Sequence, residues 1–441
     1  MAMHHFNKAA LGGLMFFCAV RFACGEAYYV KDLGTLGGST SQAFALNSSG
    51  QVVGYADIPG NMYSHAVLFS GTGSNNIDLD IVGASVTVGE ARGINDSGQI
   101  IGYAQPLSGG RVEAILYALT SKTNLGDLCD SSPTASEANA INNSGVIIGY
   151  AGDCDFIVQG SRFSGKGNNN VSLGGIGGGL DGIAYAINAS GQIVGYGTRQ
   201  TDELRRATLF SASGNVDLGI LAENTNGLAN SLAYGINDAG QIVGTCSISN
   251  NSAFRATLFS GSGSNNIDLG SLGGINSHAY AINNLGEIVG NSYPATNNNS
   301  VYHAFIYKNG VMSDLNGLLL TNSGFSNIRF ATSGGELPGR VINDSGQIAA
   351  VGEISGRTHA VLLTPVLRKV GVVHTGNNIV VNFDAVSGKT YHLEQTTDLA
   401  NPNWQSVPGV ADFAATSTGP AQFTVTHGAS NGKAYYRVQL L

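Results

Sequence analysis

The chain has little charge, few cysteines and, beyond its N-terminus, no long apolar run. Asp, Glu, Lys and Arg make up 11% of its 441 residues, well below the roughly 25% typical of soluble domains. The net charge of −8 is spread along the sequence without a basic patch of the kind that nucleic-acid binding requires. The sequence therefore predicts no nucleic-acid partner.

The only marked apolar run lies near the N-terminus, where Lys8 precedes apolar residues 9–20. This run is shorter than the roughly 20 residues that a membrane-spanning helix needs. It is typical of a secretory signal peptide, which we place over residues 1–26. Arg21 leaves the cleavage site open, and a lipoprotein signal ending at Cys24 is the alternative. We expect a secreted or cell-surface protein without a transmembrane segment.

What the chain has in abundance is glycine, 63 residues, and an internal repeat. The segment AINASGQIVGY (residues 186–196) occurs seven times with small edits. Its asparagine falls at Asn47, Asn95, Asn142, Asn188, Asn237, Asn283 and Asn343. Most units are about 47 residues long, and a period of this size indicates a repeat architecture.

A second marker, related to D-L-G, keeps step with the asparagines. Its members begin at Asp32, Asp78, Asn124, Ser172, Asp217, Asp268 and Asp314. We therefore predict four short strands in each unit, of which the D-L-G strand is the first. The second and third strands are joined by an N-x-S-G turn, in which Gly takes the left-handed conformation of a tight hairpin. Five of these turns also spell a glycosylation sequon, but the turn itself explains the asparagine.

The repeated strands are almost continuously apolar, so both faces of each sheet must be covered. We therefore predict an all-β protein with a seven-bladed β-propeller over residues 27–365. A linear solenoid is the alternative, although the terminal repeats lack the polar caps that it would need. Residues 367–441 show new strand signals, and their spacing predicts a small β-sandwich of the fibronectin-III or immunoglobulin kind.

The repeat resembles the HAF family of extracellular repeats. The resemblance rests on residues 32–38 (DLGTLGG), residues 281–290 (AINNLGEIVG) and His303-Ala304-Phe305, and it spans residues 28–364. It implies a secreted or surface bacterial protein and supplies no catalytic residues. The third unit departs from the pattern, with no clear H-A-F near Arg162. The C-terminal segments DLANPNWQSV and YYRVQL are similar to fibronectin-type-III-like modules that end some bacterial exported proteins.

Candidate binding residues lie on the face formed by the loops between strands one and two and between strands three and four. These loops vary in length, and variable loops commonly carry function. The ends of the third strands hold a row of tyrosines that could stack on sugars or simply pack: Tyr55, Tyr103, Tyr150 and Tyr196. The longest loop, in the seventh unit, holds Arg329, Glu336 and Arg340, which form either one wall of a binding site or a contact with the following domain. We expect a polysaccharide or cell-surface partner.

The sequence predicts no metal site and no cofactor. The first position of the H-A-F motif, which we call the H-A-F slot, holds residues of both charges in separate units. We therefore interpret it as an exposed or edge position: His65, Glu113, Arg206, Arg255, His303 and His359. The D-L-G aspartates could bind Ca²⁺ only if their strands were innermost. Cys129 and Cys154 fall in loops on the same face of one unit, so we expect a disulfide between them and a free Cys246.

No Ser-His-Asp spacing, phosphate-binding loop or zinc motif is visible in the sequence. We therefore predict a non-enzymatic binding or structural module. The alternative is a carbohydrate-active enzyme, a glycoside hydrolase or lyase, on the same scaffold, because propellers host such enzymes and fold does not decide activity.

Overall fold

The computed structural model describes residues 27–80, 86–129, 133–165, 169–221, 229–248, 253–261, 263, 265–295, 301–320, 323–331, 339–366, 371–375, 378–385, 390–397, 403, 405–416, 419–426 and 435–440. The predicted signal peptide and Glu336 lie outside these residues. Ala27–Pro365 form one compact unit, and Val366–Leu441 belong to a second. The described elements are strands, apart from one 3-10 helix at Leu315–Leu318. The protein is all-β, as predicted.

The strands of the first unit follow in chain order. They are β1 (Ala27–Asp32), β2 (Ser41–Leu46), β3 (Val52–Asp57), β4 (Ser64–Phe69), β5 (Ile77–Asp78), β6 (Val86–Ile94), β7 (Ile100–Pro106), β8 (Glu113–Ala118), β9 (Ser121–Asn124), β10 (Ser136–Ile141), β11 (Ile147–Gly152), β12 (Val158–Phe163), β13 (Val171–Ser172), β14 (Gly182–Ile187), β15 (Ile193–Thr198), β16 (Arg205–Phe210), β17 (Val216–Asp217), β18 (Ser231–Ile236), β19 (Ile242–Ile248), β20 (Ala253–Phe259), β21 (Ile267–Asp268), β22 (Gly273–Ile282), β23 (Ile288–Pro294), β24 (His303–Lys308), β25 (Val311–Asp314), β26 (Ser326–Arg329), β27 (Ile348–Ile354) and β28 (Arg357–Val366).

These strands form seven antiparallel sets of four, which we call sheets I to VII. They are β2-β3-β4-β5, β6-β7-β8-β9, β10-β11-β12-β13, β14-β15-β16-β17, β18-β19-β20-β21, β22-β23-β24-β25 and β26-β27-β28-β1. Sheets I and II are joined into one eight-stranded sheet by a parallel bridge between Ser64 and Val88. The prediction of four short strands per set is confirmed, but their grouping differs from the one that the sequence suggested.

Sheets I to VI each begin with the A-x-A-I-N strand and not with the D-L-G strand. The D-L-G segment pairs instead with the last strand of the preceding repeat, as Asp217 does with Thr208. It is therefore the edge strand of its sheet, and the expectation that it opens its own repeat's sheet was wrong. From sheet I through sheet VI, the first strands of neighbouring sheets contact one another.

Sheet VII joins the two ends of the unit. The N-terminal strand β1 pairs with β28, and its Asp32 lies 3.0 Å from Nδ1 of His359. The seventh repeat also supplies its first strand differently: β26, from within the predicted longest loop, takes the place of the A-x-A-I-N strand. This strand is a segment that the repeat pattern did not predict.

Apolar clusters fill the spaces between successive sheets. One cluster combines Val243 and Ala256 of sheet V with Ala279, Ile288 and Phe305 of sheet VI. Each sheet thus has side chains buried on both faces, which explains the continuous apolar strands.

The fixed glycine of the second strand in sheets I to VI allows close approach to the first strand. A Cβ at Gly195 would lie 1.9 Å from the carbonyl oxygen of Ile183, closer than two atoms can come. The close approach occurs beside an irregularity in β14, where the register shifts between Ala184 and Ala186. The same bulge recurs in the first strands of sheets I to VI. Bulges of this kind bend a strand and redirect one side chain.

The second unit contains two antiparallel sheets. Its strands are β29 (Gly371–Thr375), β30 (Asn378–Ala385), β31 (Thr390–Thr396), β32 (Gln405–Ser406), β33 (Phe413–Ala414), β34 (Gly419–Val425) and β35 (Tyr435–Leu440). β29, β30 and β34 form one sheet, and β31 pairs with β32, β33 and β35 in the other. Residues from both sheets share one apolar cluster, in which the rings of Phe383 and Phe423 stack at 5.1 Å.

Cys129 and Cys154 form a disulfide with Cα atoms 4.8 Å apart, and Cys246 is a buried free thiol. The bridge spans 25 residues, for which the chain-entropy model gives a stabilisation of about 3–4 kcal/mol. Over the described part of the chain, no helix has the length and apolar character needed to cross a bilayer.

Candidate functional site

The seven repeated asparagines form a cyclic series of hydrogen bonds. Each Nδ2 donates to the main-chain oxygen of the next asparagine, in the order Asn47, Asn95, Asn142, Asn188, Asn237, Asn283, Asn343 and back to Asn47, at 3.1–3.3 Å. The last bond links residues 296 positions apart. The turns of all seven repeats therefore lie side by side in one closed order.

The side-chain amides of these asparagines hydrogen-bond to other groups of the protein. Oδ1 of Asn188 accepts from the main-chain N–H of Gln192 and from the hydroxyl of Ser190, while its Nδ2 also donates to Oε1 of Gln192. The five sequon asparagines are between 0% and 6% exposed. A glycosylating enzyme could not reach such side chains in the folded protein, which supports the structural interpretation of these turns.

The residue that follows each asparagine forms a second, exposed polar layer. Main-chain N–H groups donate across neighbouring repeats to side chains such as Asp96, Asn143, Asp238, Asn284 and Asp344. Nδ2 of Asn284 donates to both Asp238 and Asp344, at 2.9 and 3.0 Å. Polar side chains thus surround the space that the seven turns enclose.

A cavity of about 100 Å³ lies inside this layer. It is lined by the ends of the first strands, the asparagine turns and the Gly339-Arg340 segment. At roughly 30 Å³ of liquid volume per water, the cavity has room for a few water molecules or for part of a small solute.

The bulged residues of the first strands close the inner end of the cavity. Three of them, Asn139, Tyr185 and Tyr234, line it and are buried. The rings of Tyr185 and Tyr234 lie 5.3 Å apart, and Tyr280 continues the series at 5.6 Å from Tyr234. In the part of the chain that the structure describes, the cavity is therefore open on the side of the turns and blocked by these buried side chains on the other.

The walls offer main-chain hydrogen-bonding groups. Because Asn188 bonds to Gln192 across the hairpin, the alternation of an antiparallel ladder turns the N–H and C=O of Ile187 away from β15 and toward the cavity. The same holds for its counterparts in four other sheets, which also line the cavity: Ile94, Ile141, Ile236 and Ile282. In sheet I the corresponding Leu46 N–H donates to the carbonyl oxygen of Arg340, at 2.9 Å.

Asn139 adds a buried acceptor to the cavity. Its Nδ2 donates to the carbonyl oxygen of Ala184 at 3.0 Å, but its Oδ1 has no hydrogen-bond partner among the described residues. The side chain is 1% exposed. A buried acceptor without a partner is costly, so the site favours an occupant that donates a hydrogen bond.

Arg340, one of the predicted binding residues, lies at this cavity. Its guanidinium is 3.7 Å from Asp344, and its side chain is 39% exposed. Burial acts against ionisation of the nearby Asp96, but hydrogen bonds from Ser48 and Asn143 and the charge of Arg340 together lower the pKa of that carboxyl. Gly339 lies so close to the carbonyl oxygens of Phe44 and Arg92 that a Cβ would clash with both. This glycine lets the segment enter the cavity wall.

The structure does not bring the predicted tyrosines to Arg340. Tyr103 stands five residues beyond the turn glycine Gly98, roughly 16 Å further along the chain at about 3.3 Å per residue. Tyr103 and Tyr196 are buried, 7% and 2% exposed, and Tyr55 and Tyr150 are half-buried. Arg92 stacks on Tyr103 at 4.8 Å, and Arg205 stacks in the same way on Tyr196. These rings pack within the protein.

Arg329 also lies apart from the cavity. It belongs to β26 and forms an ion pair of 3.0 Å with Glu353, which Asn327 holds through a hydrogen bond. Part of the predicted longest loop is therefore a strand of sheet VII.

Two predicted tyrosines belong to a buried charge network that the repeat pattern did not reveal. Arg92, the bulged residue of β6, bonds Glu90 at 3.1 Å and Glu137 of the next sheet at 3.0 Å. The hydroxyls of Tyr103 and Tyr150 hydrogen-bond these two carboxylates. Burial raises the pKa of Glu90, and the charge of Arg92 opposes that rise. The network fixes two sheets against each other.

The H-A-F slot pairs with the D-L-G aspartate of the neighbouring edge strand. The pairs are His65 with Asp78 at 2.8 Å, Arg206 with Asp217 at 3.8 Å, Arg255 with Asp268 at 3.6 Å, His303 with Asp314 at 2.7 Å and His359 with Asp32 at 3.0 Å. Where the marker is Asn124 the slot holds Glu113, and where it is Ser172 the slot holds Gln159, to which Ser172 bonds. The correlated signs of the two markers could have identified this contact from the sequence.

The D-L-G aspartates lie on edge strands, not at the centre that a calcium ring would require. Their Oδ1 atoms accept from the N–H two residues later, as Asp217 does from Gly219. In the described ranges, no three His, Cys, Asp or Glu side chains are placed to hold a metal ion.

His278 makes the stability of the first unit depend on pH. Burial lowers the pKa of His278 to about 4, and its ring stacks on Tyr280. Below about pH 6.5 the unfolded chain therefore binds a proton at this histidine that the folded protein does not bind. The free energy of unfolding consequently decreases as the pH falls. We expect a loss of about 2 kcal/mol between pH 7 and pH 5. Urea denaturation at both values would measure it, and His278→Phe should remove most of this loss. An equal pH dependence in the variant would assign it elsewhere.

Comparison with known proteins gives a family without an assigned activity. A family model described as a protein of unknown function, DUF3466, matches residues 184–400, just under half of the chain. No curated protein matches the chain. The matched region begins in β14 and contains the last four asparagine turns, so its similarity covers the repeat and supplies no chemistry for the cavity.

Proposed function

We propose that residues 27–365 are a seven-bladed β-propeller that acts as a non-enzymatic carbohydrate-binding module of a secreted or cell-surface bacterial protein, followed by a β-sandwich. The cyclic order of the asparagine bonds and the mixed sheet VII support the closed arrangement. A propeller has a central channel surrounded by its innermost strands. The cavity would then be one mouth of that channel.

The observation that carries the binding proposal is the hydrogen-bonding character of the cavity. Its wall presents main-chain donors and acceptors side by side, Asn139 adds a buried acceptor, and Arg340 adds a charged donor at the rim. A sugar hydroxyl both donates and accepts, so a polyhydroxylated ligand matches such a wall. The tyrosine rings of the inner end add apolar surface on which a sugar can pack.

A binding screen against soluble polysaccharides, with reducing-sugar release measured in parallel, tests this function. We expect binding without sugar release. Arg340→Ala should weaken binding about tenfold, the equivalent of ~1.4 kcal/mol for one lost charged hydrogen bond. Arg357→Ala is the matched control, because Arg357 is an exposed arginine of sheet VII outside the cavity lining. No binding to any polysaccharide, or equal losses in both variants, would contradict the proposal.

Hydrolysis is the second candidate function, and one observation favours it. The hydrogen bonds of Asn284 place an oxygen of Asp238 and one of Asp344 within about 6 Å of each other, near the ~5–5.5 Å carboxyl spacing of retaining glycosidases. Both carboxylates also accept main-chain N–H bonds that serve the turns. Sugar release that is lost in Asp238→Asn and Asp344→Asn would establish this alternative.

A further inference from the structure

The cavity is blind, and this restricts which part of a carbohydrate could enter it. On the side of the turns it meets exposed residues such as Asp238 and Asn284. On the other side it ends at Tyr185, Tyr234 and Asn139, all at most 3% exposed. Among the residues that the structure describes, a ligand entering from the turns therefore meets no second exit.

The rings behind the inner end pack against one another. Tyr234 contacts Tyr185 and Tyr280, and Tyr280 meets Phe330 edge-on at 6.2 Å. On the other side, Arg92 is held by Glu90 and Glu137. This layer joins an apolar cluster of sheets I and IV to VII to a charged network of sheets II and III, so it belongs to the core of the unit.

We propose that the cavity recognises the free end of a neutral polysaccharide chain and not its interior. This rests on the carbohydrate-binding function proposed above. An interior sugar carries a neighbour on both sides and needs an open groove, whereas a terminal sugar needs a single opening. The volume of about 100 Å³ fits the hydroxyl-bearing edge of one terminal sugar.

The charges at the opening favour a neutral ligand. The ionised groups that line the cavity are Arg340 and Asp238, which have opposite signs. The remaining contacts in the described lining are amides, main-chain groups, tyrosine rings and the side chains of alanines and isoleucines. Because these two charges cancel, the lining has no net charge to offset the cost of taking a carboxylate or an amine of the terminal sugar out of water.

Chain length separates recognition of ends from recognition of the interior. Soluble starch, xylan, galactan and mannan would each be used intact and after partial hydrolysis to chains about ten times shorter. For a polysaccharide that binds, the hydrolysate should compete about tenfold more strongly than the intact polymer at equal mass, because it carries ten times as many ends. Asn139→Leu should abolish this gain, and the length series itself needs no variant.

The outcomes separate the two proposals. Competition that follows mass and ignores the number of ends would overturn end recognition while leaving carbohydrate binding in place. A second comparison uses chains whose reducing ends have been converted to alditols. If these chains compete as strongly as untreated chains, the cavity recognises the non-reducing end, in agreement with the proposal. Binding of none of the four polymers would overturn the function and end recognition with it.

Discussion

Replacing Arg92 by methionine should lower the free energy of unfolding of the first unit by about 3–5 kcal/mol, the usual effect of removing one partner from a buried ion pair. Arg92 is 7% exposed and bonds both Glu90 and Glu137. Without the guanidinium, two carboxylates stay buried beside each other with no compensating charge. Urea denaturation of the full chain, followed by tyrosine circular dichroism, would measure the loss.

The pH dependence of this variant provides an internal check. A buried carboxyl without its cation has a folded pKa above its unfolded value, so stability falls as the pH rises through that range. The deficit of Arg92→Met should therefore be larger at pH 8 than at pH 5. The triple variant with Glu90→Gln and Glu137→Gln should recover part of the loss at pH 8. A deficit that is constant with pH would show that lost packing, and not charge, is responsible.

Asn188→Ala should reduce the stability of the same unit by about 3 kcal/mol, because it removes both donors and the acceptor of one buried turn amide. The side chain is 3% exposed and bonds Gln192, Ser190 and the oxygen of Asn237 in the next repeat. Since its bonds reach two sheets, the loss should destabilise the contact between sheets IV and V.

Two substitutions in the same turn test that explanation. Asn188→Asp keeps the acceptor for Gln192 but places a carboxylate oxygen against the Asn237 oxygen, so it should be as harmful as alanine at neutral pH. Ser190→Ala removes one bond of an exposed hydroxyl and should change stability by less than about 0.5 kcal/mol. An Asp variant as stable as the original protein would show that the bond between repeats contributes little.

The strand content of the repeat followed from its sequence because the markers are local. The conformation of an apolar strand, of a turn asparagine or of a left-handed glycine depends on only a few neighbouring residues. Gly191, for example, has φ 84° in its turn. Which strands share a sheet is a long-range property. The segment near Asp217 pairs with β16 before it and not with β18 after it, and both arrangements have the same local pattern.

The candidate site was harder to predict for a related reason. Ile187 and its counterparts contribute through the direction of their main-chain groups, which depends on hairpin register and not on residue type. The tyrosine row was visible in sequence, but its burial depends on partners such as Glu137 in other elements. Arg340 was found only because its loop is unusually long, and its neighbours Asp96 and Asp344 come from different repeats.

Sheet VII sets the order in which this protein can be completed during synthesis. Within this unit, strand β1 is synthesised first and its partner β28 last, so Asp32 can bond to His359 only after the intervening residues have been made. Contacts this distant in sequence form slowly. Until then β1 has no ladder, and the asparagine series lacks the bond from Asn343 to Asn47. An interrupted translation product would carry correctly formed hairpins and still lack the contacts that tie the beginning of the unit to its end.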